Sequence, residues 1–135
     1  MKTLFLLLAL TFSIGLQSQS KSEILNNIEN ILKQQTIKSD DYKVTVYYNV
    51  EEKILDFDEI GELNKGLILQ LNNISIKYES NPYHKDTHYL KISCKENNGC
   101  IESKDSQTIS SLTRAFASKK IVYELIDLIH QLRKL

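Results

Sequence analysis

Between Tyr42 and Phe116 the apolar side chains recur mostly at every second position, and from Ser118 onward they recur every three to four. A period of two belongs to strands half-buried on one face, and a period near 3.6 to a helix with one apolar stripe. A stretch that makes this change near its end builds sheet and closes it with a helix. Tyr42, Val44, Val46 and Tyr48 open the strand pattern, alternating with Lys43, Thr45 and Tyr47. After the turn Asn49-Val50-Glu51-Glu52, the stretch 53–58 places Leu55 and Phe57 on one face, and 59–65 reads as a loop. Leu67, Leu69 and Leu71 give a third strand, broken at Asn72-Asn73, and Ile74, Ile76 and Tyr78 a fourth. Ser80-Asn81-Pro82 signals a loop. His88, Leu90, Ile92 and Cys94 alternate in a fifth strand, 100–103 gives a short sixth, and 109–116 a seventh.

The closing helix begins at Ser118, an N-cap residue type. Ile121, Val122, Leu125, Leu128, Ile129, Leu132 and Leu135 form its stripe, and Arg133 and Lys134 stand in the last turn, where cations suit the helix dipole. A second helix precedes the strands. Ile24, Leu25, Ile28, Ile31 and Leu32 share one face over 21–36, and Ser20 with Glu23 has capping-box spacing. Its apolar face requires it to dock on the strand-built domain C-terminal to it. The expected division is a leader at 1–20, an amphipathic helical unit at 21–38 and one domain at 42–135.

The leader has one cation, Lys2, then an apolar run from Leu4 to Leu16, then Gln17-Ser18-Gln19-Ser20. This is the layout of a secretory signal peptide. The run falls short of the ~20 apolar residues that cross a bilayer. Cleavage is expected between Gln17 and Lys21, giving an exported, periplasmic or secreted protein with no integral membrane span. Seventeen basic and 17 acidic residues balance; removal of Lys2 leaves 16 against 17. That balance argues against nucleic acid as a partner.

Export gives the two cysteines, Cys94 and Cys100, an oxidising environment in which a disulfide persists. They flank Asn97-Asn98-Gly99, a hairpin signal. An odd loop about Asn97 sets Cys94 opposite Cys100, where a non-hydrogen-bonded pair brings Cα atoms to about 4.5 Å. A two-residue turn at Asn98-Gly99 instead sets Cys94 opposite Ser103. Free thiols and a redox role are the alternatives, although the spacing is not C-x-x-C and no helix start lowers a thiol pKa.

His84, Asp86 and His88 alternate near the start of the fifth strand. On an extended segment they would share a face that a transition metal could use, so they are the metal candidates in a chain for which no metal or cofactor is otherwise indicated. Seven tyrosines are many for 135 residues. Tyr47 and Tyr89 lie on the sides of their strands opposite the apolar residues, and together they could form a partner surface. Catalytic templates are missing: there is no G-x-S-x-G, H-E-x-x-H, Walker loop or G-x-G-x-x-G, and four glycines leave little for phosphate-cradling loops. Acid pairs such as Asp56 and Asp58 read as solvated strand faces.

Seven short antiparallel strands followed by one amphipathic C-terminal helix resemble a pleckstrin-homology-like fold over 42–135. The phrase Leu69-Gln70-Leu71-Asn72-Asn73-Ile74-Ser75-Ile76, with Cys94 and Cys100-Ile101 after it, is similar to small uncharacterised exported bacterial proteins. The resemblance implies an α+β chain: a seven-stranded PH-like sandwich or barrel closed by its C-terminal helix, with an extra N-terminal helix. Some PH domains bind inositol phosphates through basic residues at the first hairpin. Here that turn carries Glu51 and Glu52 with only Lys43 and Lys53 beside it, so the pattern departs from lipid-headgroup binding. The function expected is a non-enzymatic binding module for a protein or envelope component. The alternatives are a small periplasmic metal-dependent or hydrolytic enzyme using His84, Asp86 and His88, or an exported immunity or inhibitor protein.

Overall fold

The computed structural model describes residues 20–36, 38–61, 65–96, 99–105 and 107–135. Residues 1–19 of the expected leader and Asn97-Asn98 of the expected hairpin turn lie outside the described residues. Among the described residues two α-helices and eight strands run in the order α1 (Lys21–Leu32), β1 (Lys43–Asn49), β2 (Ile54–Ile60), β3 (Gly66–Gln70), β4 (Ile74–Ser80), β5 (His88–Cys94), β6 (Ile101–Ser103), β7 (Gln107–Ile109), β8 (Ser111–Phe116) and α2 (Lys119–Arg133). The strands form a five-stranded sheet, β1-β2-β3-β6-β7, and a three-stranded sheet, β4-β5-β8, all antiparallel.

The architecture is α+β, with eight strands in two open sheets rather than seven in a closed barrel. The extra strand comes from Ser110. Residues 107–109 pair with β6 in one sheet, while 111–116 pair with β5 in the other. Ser110 is the corner between them. Its carbonyl accepts from the Cys94 N–H at 2.8 Å, and its hydroxyl accepts from the Gly99 N–H at 3.3 Å. The inward set slips by one across this corner, from Ile109 to Leu112, Arg114 and Phe116, and the single strand expected over 109–116 runs across that slip.

Inward residues of both sheets and both helices enter one core. Val44, Val46 and Tyr48 face inward from β1, Leu55 and Phe57 from β2, Leu90 and Ile92 from β5. Ile24, Ile28, Ile31 and Leu32 enter from α1, and Val122, Leu125, Ile129 and Leu132 from α2. Each fully buried aliphatic side chain contributes about 1.5–3 kcal/mol relative to exposure. The N-terminal helix therefore belongs to the core of the strands that come after it.

Helix boundaries differ from the sequence pattern in two ways. Helix α1 stops at Leu32 rather than Thr36, because the Gln34 and Gln35 N–H groups tighten onto Ile31 and Leu32 carbonyls. That turn frees Gln35 to bridge Phe116 of β8. Ser20 caps α1, accepting from the Glu23 N–H at 3.3 Å. Ser118 occupies the N-cap of α2 without a side-chain capping bond.

Strand β2 runs to Ile60, so Glu59 lies in a strand and not in a loop. At the start of β3, Gly66 has φ +136, and a Cβ there would sit 2.0 Å from the Phe57 carbonyl oxygen. Only glycine fits that close approach of β3 to β2. No helix among the described residues is long and apolar enough to cross a membrane.

Candidate functional site

Each sheet has two edges, and the chain treats them differently. In the antiparallel register Ile74 pairs Cys94, and the Lys95 N–H donates to the Asn73 carbonyl at 2.9 Å. Hydrogen-bonded pairs alternate with non-bonded ones, so Ser75, Lys77 and Glu79 turn their backbone groups toward β5. Ile74, Ile76, Tyr78 and Ser80 turn theirs outward.

The other edges are interrupted by the rest of the chain or short. On β1 the outward Val46 N–H donates to Glu29 Oε1 of α1 at 2.9 Å. On β8 the outward Ala115 carbonyl accepts from the Thr36 N–H at 3.0 Å. Strand β7 has three residues. Strand β4 thus presents a seven-residue edge whose outward groups have no backbone partner among the described residues.

Tyr78 anchors a side-chain cluster beside this edge. Its ring stacks on Tyr123 of α2 at 5.4 Å and on His88 of β5 at 5.8 Å. The Tyr78 hydroxyl and His88 Nδ1 share a hydrogen bond of 2.6 Å. Lys119 Nζ lies 5.1 Å from the Tyr78 ring centre and 5.8 Å from that of Tyr123, within reach of cation–π attraction. Alternation along β4 points Tyr78 toward α2, and the helix start supplies Lys119 and Tyr123 one turn apart. The opposite face of β4 carries Ser75, Lys77 and Glu79, with Glu79 3.7 Å from Lys91 of β5.

The metal candidates do not share a strand face. Only His88 lies in β5. His84 and Asp86 sit in an exposed turn, in which the Thr87 N–H donates to the His84 carbonyl at 3.3 Å. Alternate positions share a face only on extended backbone, and this segment turns. Among the described residues no group of three metal-ligating side chains converges.

Tyr47 and Tyr89 do not meet on one sheet. Tyr47, 56% exposed, projects from β1 of the five-stranded sheet. Tyr89 belongs to β5 of the three-stranded sheet, and its hydroxyl accepts from Asn81 Nδ2 at 2.9 Å. Asp56 and Asp58 hold Lys104 between them, at 2.6 and 3.4 Å. Burial works to lower the Lys104 pKa, but the hydrogen bond and charge of Asp56, joined by Asp58, outweigh it and raise the value.

Cys94 and Cys100 form a disulfide. It is not a clasp across one hairpin. Strand β5 pairs with β4 and β8, whereas β6 pairs with β3 and β7. The bridge therefore spans the passage from one sheet to the other, and the Cys100 N–H donates to Cys94 Sγ at 2.9 Å.

A buried polar cluster lies outside every expectation drawn from the sequence. Glu59, 3% exposed, receives both Arg114 terminal nitrogens at 2.8 Å, one on each carboxylate oxygen. Tyr42 donates its hydroxyl to Glu59 at 2.7 Å, and Arg114 also donates to Gln35 at 3.1 Å. Gln35 in turn donates to the Leu32 carbonyl and to the Tyr42 oxygen. The cluster ties β2, β8 and the end of α1 together. The signal lay in the alternation: Leu55-Phe57-Glu59 and Leu112-Arg114-Phe116 each put a charge at an inward position.

Burial first, and then the hydrogen bond to Glu59, push the Tyr42 phenol well above its ordinary value of 10.0. Burial also raises Tyr48. A raised folded pKa gives stability that is complete below the unfolded value and declines as pH climbs toward the folded one. Unfolding free energy is expected to hold through neutral pH and to fall above pH 10.0. Tyr42→Phe should make that alkaline decline shallower while costing about 1 kcal/mol at pH 7 for the lost hydrogen bond. Urea titrations at stepped pH measure both, and an unchanged alkaline slope would refute the assignment.

No protein-family model, curated protein or solved structure matches the chain.

Proposed function

We propose that this chain is an exported, non-enzymatic interaction module that binds a protein by adding an extended strand to the β4 edge. The observation that carries the reading is the contrast among edges. Glu29 takes an outward donor at the middle of β1, the strap at Thr36 an outward acceptor of β8, β7 is short, and none of the outward groups of Ile74, Ile76, Tyr78 and Ser80 on β4 has a backbone partner among the described residues. Natural proteins protect long open edges because an unpaired strand recruits another. An edge left open beside a helix suits strand addition, in which backbone bonds supply affinity and neighbouring side chains supply selectivity. Tyr78, Tyr123 and Lys119 stand where an added strand would place alternate side chains.

Export is supported by the leader and by the Cys94–Cys100 bridge, since disulfides persist in oxidising compartments. The PH-like reading rests on strands followed by one closing helix, here arranged as five strands and three. The near-balanced charge favours a protein or envelope component over nucleic acid.

Panning a phage-displayed peptide library against the purified protein tests the edge. Selected peptides are expected to slow amide exchange at Ile76 and Tyr78. Protection confined to other elements sinks the reading, and so does a failure to enrich any peptide when the Ile76 and Tyr78 amides of the protein alone are also unprotected. Ile76→Pro sharpens it, because the N–H removed is the outward one and the β4–β5 ladder stays intact. That variant should lose peptide binding about tenfold or more while losing only about 1 kcal/mol of stability.

A further inference from the structure

We infer that the occupant of the β4 edge is a second copy of this chain, paired antiparallel about a two-fold axis at Tyr78; this rests on the edge reading above and names its partner. The edge allows two-fold pairing centred on Ile76, on Lys77 or on Tyr78, and the side chains separate the three. Centring on Lys77 sets its ammonium against its own copy at a close non-hydrogen-bonded position, which is repulsive. Centring on Ile76 sets Lys77 against Ser75 and leaves Lys77 without an acid across the seam.

Centring on Tyr78 sets Lys77 opposite Glu79 of the second copy, and Glu79 opposite Lys77 of the second copy. The outward backbone groups of Ile76, Tyr78 and Ser80 then meet those of Ser80, Tyr78 and Ile76. Two opposite-charge pairs form on the outer face and one tyrosine pair on the helix side, both favourable cross-strand combinations. The surrounding charges point the same way. Within its own sheet Lys77 stands directly opposite Lys91, and the neighbouring acid, Glu79, lies 3.7 Å from Lys91. Glu79 of a second copy supplies the counter-charge at Lys77. The pairing would join two three-stranded sheets into one continuous sheet.

Sedimentation equilibrium of the purified protein tests this directly. A concentration-dependent dimer is expected. Lys77→Glu and Glu79→Lys each replace two attractive pairs with two repulsive ones and should each weaken dimerisation about tenfold or more. The double variant Lys77→Glu/Glu79→Lys should restore it. An equimolar mixture of the two single variants should form a heterodimer of near wild-type strength, because every cross-strand pair in it is again attractive. Both positions face outward, so far-UV circular dichroism should not change. A monomer throughout the concentration range, a dimer indifferent to both variants, or a double variant that stays weak overturns the inference. If the protein is monomeric while display-selected peptides still protect Ile76 and Tyr78, the self-pairing falls and the edge reading stands. If neither a second copy nor a peptide protects those amides, both fall.

Discussion

Arg114→Ala is expected to cost about 3–5 kcal/mol, because it strands the Glu59 carboxylate in the core without its partner. Glu59 has lost its water, and both of its oxygens depend on the Arg114 guanidinium. Tyr42 remains as a donor, but one phenol does not replace a bidentate cation. Thermal unfolding should fall by roughly 10–25 °C for a domain of this size. The informative contrast is the paired replacement Glu59→Leu/Arg114→Met. Removing both charges together removes the desolvation cost as well, so that variant should lie within about 1–2 kcal/mol of the parent. A double variant as unstable as Arg114→Ala would show that the pair itself, and not the stranded charge, sets the effect. The lost Gln35 contact predicts a second readout. The strap at Gln35-Thr36 should open, seen as faster exchange of the Thr36 amide that otherwise donates to Ala115.

Loss of the disulfide ranks next. Cys94→Ser/Cys100→Ser opens a seven-residue loop, and the chain-entropy relation assigns that closure roughly 2–2.5 kcal/mol. The location of the damage distinguishes a corner staple from a hairpin clasp. Strand β5 lies between β4 and β8 and should keep slow exchange. Strands β6 and β7, three residues each, depend on the corner to enter the other sheet. Their amides should exchange faster in the double serine variant by more than the global loss accounts for. Uniform acceleration across all strands would contradict the corner role.

Local periodicity carried much of the architecture. The alternation of Val44, Val46 and Tyr48, and the stripe from Val122 to Leu132, are properties of one segment facing one core, so each is visible without knowing its neighbours. The one-step slip between Ile109 and Leu112 marks an interruption at Ser110, but not what the chain does there. Whether a strand bends into a second sheet depends on what β5 and β6 offer it, not on its own residues. The site was less legible still. An edge is defined by who does not pair, which is a statement about the whole topology. Glu29 takes the outward Val46 donor of β1 from a helix 17 positions away, and nothing near Val46 announces it. His84 and Asp86 misled because alternation means a shared face only on extended backbone. Glu59 was legible in principle, as the continuation of Leu55 and Phe57, but acidic residues after a strand read as loop by composition.

The ties between Gln35 and Arg114, and between Thr36 and Ala115, join positions 79 residues apart. Their consequence is one of timing. A chain that emerges N-terminus first presents α1 long before β8 exists to receive its strap. Strand β1 receives α1 early, through packing and the Val46–Glu29 bond, but the part of α1 that packs on α2 waits for the end of the chain. Closure is therefore a late, non-local event, and loop-closure entropy must be met before those contacts reward it. The β1–β2–β3 and β4–β5 pairs are local and need nothing from the last quarter of the chain, whereas the strap and the α1–α2 packing wait for it.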